Sequence, residues 1–397
     1  MGKDLSLIEK RNQIKGQMSG YRSLPEYILD GMGAIFERLF NPAAAKARAT
    51  FLPADASNQE NEGFPSYWLN GMAIAFVTFL VGWIISAVMG HPLVMQGALS
   101  ENEKRLILEE LKLILWAAGT GALALIANKV NIRIFLNTFR ESSVDKMLRV
   151  DDLENLEKWL HDNFQLQKPL VSGLVIGPLL GWFLYNTWLT NHDDSTFQIG
   201  PFVTVVLSCI QSVWVGYYLY PFYVAFPSRL NHYHFDLYTP DPSSSEVVGQ
   251  LSRLLTFILY VTIGYIVQLT IGLGYVNVLT TESPAPGLIF SVFVWAPTVI
   301  LYSAGQFHLS NLITGAKWKM LNEVQTKIEE LYREEKIPDK DTLDRLEKLM
   351  NYHDRIKSTP NSALNFRASL NFLNSLLLPV LAFVVANIRD VFDLFRK

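Results

Sequence analysis

Residues 67–89 read YWLNGMAIAFVTFLVGWIISAVM, a run without a single ionised side chain. As a helix rising 1.5 Å per residue it would be about 35 Å long, enough to cross a hydrocarbon core of about 30 Å. Water is absent there, so the backbone must satisfy its own hydrogen bonds, which a helix does within one segment. The Phe64-Pro65 step precedes the run, and Gly90-His91-Pro92 ends it.

Working outward, runs of the same kind occupy 113–130, 169–189, 197–226, 254–276 and 287–309. A seventh, 370–388, is interrupted by Asn371, Asn374, Pro379 and Asn387, so it either spans or dips into one leaflet. Ser100 and Glu103 have capping-box spacing, which starts the second helix outside the bilayer. Half of the 397 residues are apolar and 18% are charged, where a soluble domain carries about a quarter. These numbers exclude a nucleic-acid-binding domain, a secreted disulfide scaffold and an ordinary soluble enzyme. The expected fold class is all-α: a polytopic helical membrane protein with about seven transmembrane helices and a cytoplasmic antiparallel helical hairpin. The lone cysteine, Cys209, lies inside an apolar run and reads as a small core residue. The N-terminus is charged throughout and has no signal-peptide h-region. MGKDLS fits the loose myristoylation pattern by chance.

Lysine and arginine orient the runs. The segments 1–66, 131–168, 227–253 and 310–368 carry 27 of them, whereas the connections on the opposite side carry 2, both within 91–110. The positive-inside rule then places the N-terminus in the cytoplasm, of a bacterial inner membrane or a eukaryotic plasma or internal membrane alike. Seven spans leave the tail 389–397 outside with 3 positive charges, against that rule.

The organisation that follows is a cytoplasmic segment 1–66, a six-helix bundle 67–309, a cytoplasmic hairpin 310–368, the segment 370–388 and the tail. In the first part, Tyr27, Ile28, Met32, Ile35, Phe36, Leu39 and Phe40 share a helical face, with Glu26 and Asp30 elsewhere. Such a helix either lies on the inner membrane surface or docks on the ends of the bundle. Residues 151–167 make a short acidic amphipathic helix with Leu153, Leu156, Trp159 and Leu160 on one face. In the hairpin, Leu321, Val324, Ile328 and Leu331 step by three and four, the chain turns at Lys336-Ile337-Pro338-Asp339, and Leu343, Leu346, Met350 and His353 step again. The pattern is a coiled-coil-like seam, and a hairpin this short needs a neighbour to pack on. That neighbour is part of the same chain, a second copy in a homo-oligomer, or a cytosolic protein partner.

Ionisable groups inside a span mark an ion or proton path by default. The apolar runs hold almost none, and Lys112, Lys129 and His308 lie near ends, where long side chains snorkel. That disfavours a proton-coupled transporter and a voltage sensor. The polar groups left in the runs are uncharged, among them Ser208, Gln211, Tyr218, Thr262 and Gln268. They either hydrogen-bond between helices or line a pore. In the seventh run Asn371, Asn374 and Ser375 share a face and Leu378, Pro379 and Leu381 follow, a polar vestibule leading into an apolar constriction. Gly173, Gly177 and Gly181 stand four apart in the third run, a stripe that lets a neighbouring backbone approach. Pro178 and Pro297 would kink their helices unless the freed carbonyls find partners. His232, His234 and Asp236 alternate as metal ligands can, yet no other Cys/His cluster supports them, and a structural loop is the better reading. No metal, cofactor or catalytic residue is expected, because no nucleophile elbow, P-loop, dinucleotide fingerprint or paired-carboxylate arrangement occurs in a suitable context.

This architecture resembles the insect odorant and gustatory receptor-like channels: seven spans, N-terminus inside, a surface helix before the first span and a helical inner segment between spans six and seven. The resemblance implies four subunits joined by that inner segment and a cation pore lined by the seventh span. The family's Thr-Tyr and Gln-Phe signature is absent from the seventh run here, and Gln306-Phe307 sits in the sixth instead. The expectation is therefore a homo-oligomeric ion channel, with Asn371, Asn374, Ser375, Leu378 and Leu381 lining the pore and the hairpin seam assembling it. The alternatives are a membrane-anchored scaffold that recruits a soluble partner through the hairpin and an uncoupled or lipid-handling transporter.

Overall fold

The computed structural model describes residues 2–40, 64–89, 101–141, 144, 148–190, 198–235, 237–238, 240–275, 285–334 and 340–361. Among them there is no strand; the only extended pairing is an isolated bridge between Leu148 and Phe235. The helices are α1 (Gly2–Ser19), α2 (Leu24–Phe40), α3 (Phe64–Val88), α4 (Glu101–Glu141), α5 (Val150–Asn163), α6 (Gln167–Thr190), α7 (Ile199–Tyr220), α8 (Phe226–Leu230), α9 (Glu246–Tyr275), α10 (Ala285–Glu334) and α11 (Lys340–Ser358). Five of them, α3, α4, α6, α7 and α9, are long and apolar enough to cross a membrane. The chain is a helical protein of membrane-spanning character. The 287–309 run heads α10, and the 370–388 run lies outside the described residues.

The long helices alternate in direction around α4 and α7. Gly71 of α3 meets Ile126 of α4, Gly82 meets Thr204 of α7, and Gln268 of α9 reaches Thr120. The glycine stripe of α6 packs as its spacing predicts. A Cβ on Gly177 would stand 2.7 Å from the Ile210 Cα and one on Gly181 2.7 Å from the Val206 Cα, while at Gly173 it would strike the Trp214 indole. Only a missing side chain lets the α6 and α7 backbones come this close. The opposite face of α6, with Leu174, Leu179, Trp182 and Phe183, is exposed, as a lipid-facing surface would be. Both α6 and α10 continue through their prolines, Pro178 and Pro297.

The largest core is not mid-bundle. It lies at one end, here called basal, where α1 and α5 close over the last turns of α4 and α7, the first turns of α9 and part of α10. The 197–226 run does not continue as a single α-helix to its end. At Pro221–Ala225 it passes into a π-helical turn, which turns Phe222 and Phe226 onto Phe135, each with ring centroids 4.7 Å away. Trp159 of α5 completes the aromatic cluster, confirming the amphipathic face read for 151–167. Basal packing also decides between the two placements of α2: Leu29 is fully buried against Ile74, Leu125 and Val215, so the helix is docked on the bundle. Tyr27 and Ile35 of its expected apolar face are exposed instead.

The sixth run and the first hairpin helix form one continuous helix, α10, 50 residues long. α11 returns antiparallel to it, since Leu321 and Val324 pack with Ile356 near the end of α11. The buried Lys317 Nζ donates to the Lys357 and Thr359 carbonyls at 2.8 and 2.7 Å and to Asn361 Oδ1 at 3.0 Å. A lysine thus caps the free carbonyls at the end of α11.

Candidate functional site

A polar seam runs along α4. Glu110 and Asn128 lie eighteen residues apart, five turns of helix, and so share one face with about 27 Å between them. Both are buried, and the small residues Ala117, Gly121 and Ala124 lie on that face between them. The space that small side chains leave is taken by polar groups of the neighbours. Gln211 of α7 lies against Gly121, and its Nε2 donates to Thr78 Oγ1 of α3 at 3.4 Å. Gln268 Nε2 donates to Thr120 Oγ1 at 3.1 Å, and the Ser212 and Tyr265 hydroxyls stand 3.1 Å apart. Gln211 Oε1 and Gln268 Oε1 are buried with no hydrogen-bond donor among the described residues. Two buried carbonyl-type oxygens beside α4 thus keep acceptor capacity to spare.

At the basal end the seam terminates in charge. Ser23 and Glu26 form a reciprocal capping box: the Ser23 N–H donates to Glu26 Oε2 at 2.8 Å, and the Glu26 N–H donates to Ser23 Oγ at 3.3 Å. Arg133 Nε donates to Glu26 Oε1 at 2.7 Å, and Lys129 Nζ donates to Asp30 Oδ1 at 2.7 Å. Arg22 also reaches Asp30 at 3.1 Å. Asn128 Nδ2 donates to Ser23 Oγ, and the Leu24 N–H donates to the Tyr218 hydroxyl, tying α2 to α4 and α7. The geometry is two matched i, i+4 pairs, Glu26/Asp30 on α2 against Lys129/Arg133 on α4. Burial pushes the Glu26 carboxyl above its ordinary range, outweighing Arg133, the Ser23 N–H and Lys129, which all pull it down.

Lys129 therefore does not snorkel. Its side chain is 1% exposed and ion-paired. On α4, Lys129 lies inside the 113–130 run and Glu110 and Arg133 just beyond its two ends, and all three fall within the longer apolar stretch Lys104–Arg140. The missed signal was legible: Ser23-x-x-Glu26 ahead of an apolar face is a capping box, and two acids four apart match two bases four apart.

The other expected site residues separate. Asn371, Asn374, Ser375, Leu378 and Leu381 lie outside the described residues. Leu321, Val324 and Leu346 are buried, and Ile328 and Leu331 are half-buried. Leu343 and Met350 are exposed instead of facing the hairpin seam. The inner face of α11 runs Thr342, Leu346, Leu349, Ile356, one residue out of step with the apolar pattern, and the two patterns share Leu346. Nor do the alternating histidines gather ligands. His234 holds Asp152 Oδ2 through its N–H and Nδ1, at 2.8 and 3.2 Å, pinning the loop to α5, and among the described residues no three potential ligands cluster. Cys209 is buried in the α4–α6–α7 core. No protein-family model, curated protein or solved structure matches this chain.

Proposed function

We propose that this protein carries a small inorganic cation across a membrane along the polar seam of α4, within each chain. The observation that carries the reading is the seam itself: a buried acid toward one end, buried ion pairs at the other, and unsatisfied amide oxygens of Gln211 and Gln268 between them. Ionisable groups in a span are costly, and their default meaning is an ion path. Carbonyl-type oxygens replace a cation's water shell. In this reading the basal end, with α1, α2, α5 and the α10–α11 hairpin, faces the cytoplasm, by the positive-inside count of the sequence, 27 lysines and arginines in the segments expected inside against 2 in those expected outside. On this proposal the close packing around Gly121 corresponds to an occluded state, closed at the basal end by α2.

The test is flux of Na⁺, K⁺ and H⁺ into liposomes reconstituted with the whole chain. The Gln211→Leu/Gln268→Leu double variant is expected to lose at least about tenfold of the wild-type flux, since each lost ligating oxygen weakens the bound ion. Wild-type liposomes that pass none of the three, or a double variant with full flux, would overturn the proposal.

A second reading is favoured by the exposed Leu343 and Met350. Together with Trp318 and Tyr332 they leave apolar side chains on the outside of the hairpin. Homo-oligomers joined there would set the chains around an axis, and Asn371, Asn374, Ser375, Leu378 and Leu381 would line a shared pore.

A further inference from the structure

Between α4 and α9, at the level where the 254–276 apolar run begins, lies a groove of about 630 Å³. One wall is Ile134 and Thr138 of α4, one turn apart; the other is Arg253, Thr256, Phe257 and Tyr260 of α9. The Thr138 hydroxyl gives its one proton to its own helix, donating to the Ile134 carbonyl at 2.8 Å, so that wall offers no hydroxyl donor to the groove. Phe257 and Tyr260 are 43% and 53% exposed and follow Arg253 by four and seven residues, on the same face. The groove therefore carries a cation at its basal mouth and aromatic surface for about 10 Å beyond it.

Arg253 is the groove's only basic residue among those lining it. It is exposed and has neither an ion pair nor a hydrogen bond among the described residues, whereas Arg22, Lys129 and Arg133 nearer the bundle interior are paired. A guanidinium at the start of an apolar run sits at headgroup depth, where it meets phosphate, and its planar fork suits a phosphate bidentately. A soluble anion would use the arginine and leave the aromatic wall bare. A phospholipid uses both.

We propose that the α4–α9 groove holds one anionic phospholipid, its phosphate on Arg253 and an acyl chain along Phe257 and Tyr260. The site is separate from the seam and does not depend on what the seam carries.

The test is native mass spectrometry of the whole chain released from nanodiscs of phosphatidylcholine alone or mixed with phosphatidylglycerol. One phosphatidylglycerol should be retained per chain in preference to phosphatidylcholine, and Arg253→Gln should cut that preference about fivefold, as expected for one interfacial basic residue. Thr256→Trp, which fills the groove, should reduce retention of both lipids, and soluble glycerol phosphate should not compete. Undiminished preference in Arg253→Gln would overturn the proposal. So would competition by glycerol phosphate, or a photo-crosslinker at Phe257 that captures residues 362–397 in place of lipid. Unfolding temperatures of both variants in phosphatidylcholine, close to wild type, separate loss of lipid from loss of fold.

Discussion

Glu26 is the most committed residue of the described chain. It is fully buried, bonded to its own capping serine and to Arg133, and its carboxyl is held above the ordinary range by that burial. A buried ion pair contributes little net stability, because desolvation offsets attraction, but removing one partner strands the other. The two halves differ here: Arg133 keeps 15% of its side chain exposed, and Glu26 keeps none. Arg133→Met therefore leaves a fully buried carboxyl without its main cation, and is expected to cost about 3–5 kcal/mol. Glu26→Gln keeps the shape and one of the two acceptor oxygens while relieving the buried charge, and the Arg133 it leaves can turn toward water, so it should cost less. Thermal unfolding of the two variants in one detergent checks the order; a larger loss in Glu26→Gln would contradict it.

Among elements, α6 and α7 show how a spacing becomes a contact. Adding a methyl to Gly177 would drive it into the Ile210 backbone, which cannot swing aside as a side chain can. Gly177→Ala should then destabilise by about 1–3 kcal/mol, the range for overpacking. Gly216, on the same α7, has nothing within 4 Å of a would-be Cβ. There the same substitution should stabilise by up to about 1 kcal/mol through helix propensity. Opposite signs for the two in denaturant or thermal titrations separate close approach from a general intolerance of alanine. This stripe was readable in advance because the period of four in the sequence is also the period of the helix face.

For the whole molecule, the hairpin is where pattern and placement part. Its inner seam is closed within the chain by Leu321, Val324, Leu346 and Ile356, so those residues are not free to join copies. Of the residues expected in that seam, Leu343 and Met350 remain outside, beside the exposed Trp318 and Tyr332. If copies associate through the hairpin, Leu343→Glu/Met350→Glu should reduce the particle to a monomer by light scattering while its unfolding temperature stays near wild type. Leu321→Glu, by contrast, should release α11 from α10 and show as new proteolytic cuts near residue 340. A wild-type particle that is already monomeric removes this assembly altogether.

The sequence by itself determined that the chain is helical, that several helices have membrane-spanning length and apolarity, and which face of α6 meets a neighbour. Each is a local property of period and composition, carried by residues within a few turns of one another. Whether α2 lay on a membrane or on the bundle, whether Lys129 was solvated or paired, and which register of α11 turned inward were decided only by tertiary structure. In each case the same local pattern admits both readings. Asp30, Glu26 and Leu29 broke the tie by finding partners about a hundred residues away, a distance no periodicity spans.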